Sequence, residues 1–220
     1  MFGLSSVERA RCLYRSNRAT RILFGMKDRD LEFLYEVGSL RNIPRAWIQH
    51  LATECASTLE HTLRVVFLAL LIARKEGVKN EEKLIKMALI HDLAEARTAD
   101  LAYVHKVYTK SDDARAARDQ FAGTIFADLE DMLKEYEKRD SKEAKVVKDA
   151  DNLDIDLELR ELMELGNEVA KKKQPLRKFV RDKKLYTKTA KKIWDEIQTS
   201  NPSSWHLKTN KWLRVPKAGR

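Results

Sequence analysis

The stretch "MALIHDLAEARTADL", residues 87–101, sets His91 beside Asp92 at the end of an apolar run, with Glu95 and Asp100 downstream. A helix burying its apolar face gains nothing from an imidazole and carboxylates there, since desolvation and mutual repulsion oppose them. A cation resolves the conflict. Neighbouring helix positions diverge by about 100°, yet side chains from adjacent Cα atoms can bend toward one ion, and Glu95 lies one turn beyond His91 on nearly the same face. Two ligands do not make a tight site, so further donors must come from elsewhere. His61 is the first candidate, a lone ring in the opening turn of the apolar "STLEHTLRVVFLALLIA". Asp151, in "VVKDADNLDIDLEL", is the second. At about 100° per residue Asp151 and Asp154 flank the stripe around Val147, whereas Asp149 and Asp156 point to the opposite side, so four aspartates narrow to two.

The elements that must carry these residues are helices. The 3.6-residue periodicity predicts a helix over 28–40, a turn or new start at Pro44, and a long helix from the capping box Ser57-x-x-Glu60 to Glu76, ended by Gly77. Asn80 caps "EEKLIKMALIHDLAEA", and Asp28 and Ser111 are expected to cap their helices likewise. Two long helices follow, over 111–138 and 141–165, split by "KRDS". Beyond Pro175 a helix is expected at 187–198, then an irregular end, "NPSSWHLKTNKWLRVPKAGR". There is no internal repeat and no Gly-rich phosphate loop.

Composition bounds the class. With 220 residues, 35% of them charged, and only 7 Gly and 4 Pro, the chain reads as a single all-α domain. The longest apolar run, "VVFLALLIA" at 65–73, is too short to span a bilayer, which makes a soluble protein the expectation. Cys12 and Cys55 are far apart and form no CxxC, as free thiols in a reducing cytoplasm would. The first 25 residues hold five Arg against one Glu without an apolar core, so an amphipathic helical extension is expected there rather than a targeting peptide, and Met26 is a plausible alternative start. The net charge of +9 is uneven: residues 161–220 contain 16 Lys and Arg against 6 Asp and Glu, a net of +10, leaving −1 for the rest. The interleaved "KKKQPLRKFVRDKK" reads as a solvated surface, with nucleic-acid binding as the competing use of that charge.

The order His61, His91-Asp92, Asp151 resembles the H…HD…D pattern of the HD superfamily of metal-dependent phosphohydrolases. Over roughly Leu31 to Gly166 the chain is similar to the small HD proteins that include the 5′-deoxynucleotidases, with "LYEVGSLRNIPRAW", "LEHTLRVVFLALLIA", "ALIHDLAEARTADL" and "VVKDADNLD" carrying the likeness. The resemblance implies one divalent ion (Mn, Co, Ni, Fe or Zn) held by His61, His91, Asp92 and Asp151, and hydrolysis of nucleoside or deoxynucleoside 5′-monophosphates. It further implies Glu95 as the catalytic group that positions or deprotonates water, Arg45 as the phosphate ligand and Asp100 as the contact to the sugar hydroxyl. The relatives are commonly homodimers, and no membrane partner is expected. The chain departs from the family in having Ala56 where a glutamate is frequent, and Ala46 before Trp47 beside Arg45, which leaves deoxyribose selectivity open.

The reading is therefore a helical bundle of six or more helices with residues 1–27 as an extension, 28–200 as the HD domain and 201–220 as a basic tail. Other HD phosphohydrolase chemistry, or a metal-stabilised nucleic-acid-binding module without catalysis, are the alternatives. His50, His105 and His206 are assigned to structure or solvent, and Trp205 and Trp212 to packing or an interface.

Overall fold

The computed structural model describes residues 28–209. The expected N-terminal helix, the cap at Asp28, Cys12 and Trp212 lie outside the described residues or side chains. No strand occurs among the described residues, whose one extended pairing is an isolated bridge between Pro44 and Ser57. The first helix, α1 (Asp28–Ser39), runs into a 3-10 turn at Leu40–Asn42, and the short α2 (Trp47–Leu51) follows the Pro44 turn.

Two long helices form the centre. In α3 (Thr58–Glu76) the buried positions His61, Thr62, Val65, Leu68, Ala69 and Ile72 recur at helical spacing, so this face packs against α8 (Lys142–Glu164) and α4 (Glu81–Ile90). The start of α3 is fixed by a complete capping box, with Ser57 and Glu60 each satisfying the other's backbone N–H. Its end is fixed by Gly77 in the left-handed region, φ 70°, where a side chain would be strained. Asn80 caps α4, accepting from the Lys83 N–H, and Ser141 caps α8.

The stretch expected as one helix over 81–96 breaks at Ile90. Its backbone tightens instead: the N–H groups of Leu93, Glu95, Ala96 and Arg97 each bond the carbonyl three residues back, and a short α5 (Glu95–Thr98) follows. Residues 111–138 are two helices rather than one, α6 (Asp113–Phe121) and α7 (Leu129–Lys138), parted where Gly123 takes φ 75°. The cap of α6 is Asp112, which accepts from the Arg115 N–H; Ser111 bonds the Asp113 side chain instead. After α8 come α9 (Glu168–Lys172), α10 (Gln174–Lys183) and α11 (Lys188–Thr199), and residues expected to be irregular include a last helix, α12 (Ser204–Thr209).

The helix α8 is buried nearly all round, and its aspartates are each committed. Asp149 accepts the backbone N–H groups of Tyr186 (2.7 Å) and Thr187 (2.8 Å), holding the start of α11. Asp156 takes a two-pronged bond from buried Arg177 at 2.9 and 2.7 Å, anchoring α10. The two aspartates on the far side of the helix are thus structural anchors. Arg177, from the run expected to be a solvated surface, is buried because Asp156 offers a fork-matched partner.

Candidate active site

Four side chains converge where α3, the end of α4 and α8 meet. His61 Nε2 lies 3.3 Å from His91 Nε2 and 3.4 Å from one oxygen each of Asp92 and Asp151, and His91 Nε2 lies 3.2 Å from that Asp92 oxygen. All four donor atoms fall within 4.8 Å of one another. Edges of this length are what bonds of about 2.1 Å to a shared ion subtend at tetrahedral or slightly smaller angles.

The outward-facing atoms of both rings fix how the inward ones point. His91 Nδ1 donates to the Ala88 carbonyl at 2.8 Å, and His61 Nδ1 meets Asp154 Oδ2 at 2.6 Å. A carbonyl can only accept, so the Nε2 lone pair of neutral His91 is turned to the cluster, and Asp154 enforces the same tautomer on His61. Arg64 bonds the other Asp154 oxygen and reaches Glu161 at 3.2 Å, so the support extends to a third shell of charge. Asp154, the rival of Asp151 in the sequence, sits outside the cluster and is buried there rather than lying on the helix surface.

Electrostatics speak for a cation. Burial works against the charged form of His61, but the hydrogen bonds it donates to Asp151, Asp154 and Asp92 hold its pKa well above the ordinary value. Burial likewise opposes ionised Asp92 and Asp151, yet His91 and His61 for the first, and chiefly Lys148 for the second, keep both well below the carboxylate range. Two carboxylates stay ionised in a buried pocket beside two imidazoles whose inward Nε2 atoms become ligands once their protons leave, as metal binding requires, and this donor set fits a divalent transition ion.

Glu95 borders the cluster. The tight turn over 91–95 has near three residues per turn, which brings Asp92 and Glu95, three apart, onto one side. The sequence reading aligned Glu95 with His91 through an ordinary helix; the 3-10 bonding pairs it with Asp92 instead. Glu95 Oε2 accepts from the Thr58 hydroxyl at 3.1 Å and lies 3.9 Å from Arg45 Nη1. Burial, then Asp92 and Asp100, push the Glu95 carboxyl up to about 9. Arg45 Nη1 stands 3.3 Å from Asp92 and 3.2 Å from Asp100, and the same Asp100 oxygen accepts the Ala46 N–H at 2.9 Å. Asp100 thereby clamps the Arg45 segment over the cluster rather than capping a helix. At Ala56, where the family glutamate is missing, Glu158 accepts the backbone N–H at 2.6 Å.

Arg45, Asp92, Glu95, Asp100 and Asp151 floor a cleft of about 320 Å³ whose walls include Trp47, His50, Tyr103, Lys106 and Lys148. A second cleft, about 620 Å³, shares Asp92, Glu95, Lys106 and Lys148 with it and is bounded by Tyr136 and Arg139. All seven residues singled out in the sequence are therefore brought together. Thr58, Lys148 and His50 were missed. Thr58 and Lys148 each stand three residues before a cluster member, one helical turn away on the same face, and that spacing is the signal that could have found them. His50, assigned to structure or solvent, lines the cleft because α2 packs beside the Asp100 loop.

Residues 37–199 match the family model of the HD domain. The chain is 32% identical over 146 residues to the 5′-deoxynucleotidase HDDC2 of Danio rerio, covering 63% of this chain and 72% of that protein. It is 30% identical over 142 residues to the Homo sapiens HDDC2, covering 61% and 69%. A solved structure of a conserved hypothetical protein from Pyrococcus furiosus superposes with a TM-score of 0.65 at 27% identity, covering 76% of this chain and 98% of that one. The paired rings and carboxylates, the helices that hold them and the match along most of the sequence agree, and the chain belongs to the HD domain family.

Proposed function

We propose that the protein is a metal-dependent phosphomonoesterase that hydrolyses nucleoside or deoxynucleoside 5′-monophosphates to nucleoside and phosphate. The observation that carries the reading is Glu95 and Arg45 side by side at the cluster, both lining an open cleft. A closed structural site would have neither an unligated carboxylate beside the ion nor a guanidinium facing it. The names of the HDDC2 relatives supply the substrate class.

His61, His91, Asp92 and Asp151 would hold the ion, with Mn, Co, Ni, Fe and Zn all compatible with two nitrogens and two carboxylates. Such an ion makes water a better nucleophile at neutral pH and offsets phosphoryl charge. Glu95, oriented by the Thr58 hydroxyl, positions the attacking water and takes its proton. Arg45 exchanges a carboxylate partner for the phosphate, which its planar fork can grip with two bonds. Asp100 keeps Arg45 in place and is the residue assigned to the sugar hydroxyl. Cysteine chemistry is not invoked: burial and Glu158 push the Cys55 thiol up to about 11, so it is not a ready nucleophile.

Residues 28–200 constitute the catalytic domain in this reading, with 1–27 as an extension and 201–220 as a basic tail. The exposed ridge Leu59, Leu63, Phe67 and Leu71, spaced four apart on α3, supports a homodimer. No helix among the described residues is long and apolar enough to cross a membrane, and we assign the protein to the cytoplasm. The test is phosphate release from a panel of ribo- and deoxyribonucleoside monophosphates with added Mn or Co, the native chain against Glu95→Ala. Release by the native chain and its loss in the variant is the expected result. Nucleic-acid binding by a chain that releases no phosphate would replace this reading with the non-catalytic one.

A further inference from the structure

The cleft has a wall for which hydrolysis alone has no use. His50 lies in α2, and Tyr103 stands in the turn that precedes the 3-10 segment His105–Val107. Their rings stack with centroids 5.4 Å apart and planes inclined by 28°. Both line the cleft that carries Arg45, Asp92 and Glu95. The two segments are also joined near Arg45, where Ala46 N–H donates to Asp100 Oδ2 at 2.9 Å. The stack is thus held at a fixed place relative to the guanidinium.

Two features set this pair apart from ordinary packing. Tyr103 is 55% exposed, so the stack spends one face of its ring and leaves the rest of it uncovered. His50 Nε2 is screened from solvent yet has no hydrogen-bond partner among the described residues, which folded proteins seldom leave to a polar atom. A cleft of about 320 Å³ is in the range of small-ligand sites, and a ligand whose phosphate meets Arg45 must place its remaining parts along the walls.

We propose that the exposed ring of Tyr103, backed by His50, is a nucleobase subsite, an aromatic platform for the purine or pyrimidine ring. The inference rests on the nucleotidase reading of the same cleft and extends it to how the base is held. Stacking on one aromatic side chain is worth about tenfold or more in affinity and tolerates any base.

The experiment compares kcat and KM of the full chain with Mn on four deoxynucleoside 5′-monophosphates and on deoxyribose 5-phosphate, which has no base. In Tyr103→Ala, kcat/KM for the nucleotides is expected to fall about tenfold further than for the sugar phosphate, mostly through KM. Tyr103→Phe, which keeps the ring, restores it. Equal losses on all five substrates in Tyr103→Ala, or no loss on any, would overturn the subsite. If the native chain releases phosphate from none of them, the hydrolase reading fails by itself, and calorimetric titration with the same five compounds decides the subsite: base-dependent affinity lost in Tyr103→Ala upholds it, and affinity independent of the base rejects it.

Discussion

Glu95 is the residue whose surroundings say most about its task. Held near 9 by burial and by Asp92 and Asp100, its carboxyl is poised to keep a proton until a dication at the neighbouring cluster pulls it down. Glu95→Gln keeps the size and the Thr58 bond but cannot take a proton, and kcat is expected to fall about 100-fold or more while metal binding, read by chelator competition, is unchanged. Asp154→Asn probes the opposite quality. It leaves the four donors intact but loosens the His61 tautomer, and metal affinity should drop about tenfold to 100-fold in the same competition. His61, His91 and Asp92 were legible in the sequence because each is polar in an apolar element, whereas periodicity left Asp151 beside Asp154 and only the resemblance to the HD pattern separated them. The bonds of Asp154 to His61 and of Thr58 to Glu95 were not legible, since hydrogen bonds across 93 and 37 residues of separation leave no local pattern.

At the scale of elements, the caps of the two helices that carry His61 and His91 were legible: Ser57 and Asn80 accept the expected backbone N–H, and Gly77 closes α3, whereas the cap expected at Ser111 falls to Asp112. Ser57→Ala removes one bond of the box that starts α3, four residues ahead of His61, and should cost about 1 kcal/mol in denaturant unfolding. The breaks inside helices were not legible. Nothing in the polarity of "IHDLAE" signals three-residue hydrogen bonding, which the convergence of His91, Asp92 and Glu95 on one point selects over helical continuity. At 111–138 the periodicity persists across Gly123, although the chain turns there. The run that holds α10 was read as a solvated helix surface because its anchor is the buried Arg177–Asp156 pair, a polar contact that hydrophobic periodicity does not register.

For the whole molecule, stability should answer to both metal and acid. The four donors come from α3, the turn after α4, and α8, so an ion bound to them ties three parts of the core that separate on unfolding. Adding Mn or Co at 100 times its Kd should raise the unfolding free energy by about 2.7 kcal/mol, seen as a higher Tm that chelator reverses. Acid acts elsewhere as well. Glu36 on α1 is bonded to Arg97 and Gln120, and although burial opposes its charge, these partners lower its pKa below 4.5. A carboxylate depressed in the folded state contributes stability above its unfolded pKa, and that contribution is lost as the pH falls through the lower folded value. Glu36→Gln should therefore lower Tm at pH 7 and make little difference once the pH has fallen below the depressed folded value, where the native residue is itself protonated.

The aspartates of α8 carry a consequence for how this chain can vary. Asp149 holds α11, Asp151 faces the cluster, Asp154 braces His61 and Asp156 anchors Arg177, so obligations leave the helix in several directions within eight residues. Adding or deleting a single residue there would turn everything beyond it by about 100° and break all later attachments together. A change of length is therefore tolerable only in the connecting loops, whereas this segment can accept a substitution but not an insertion.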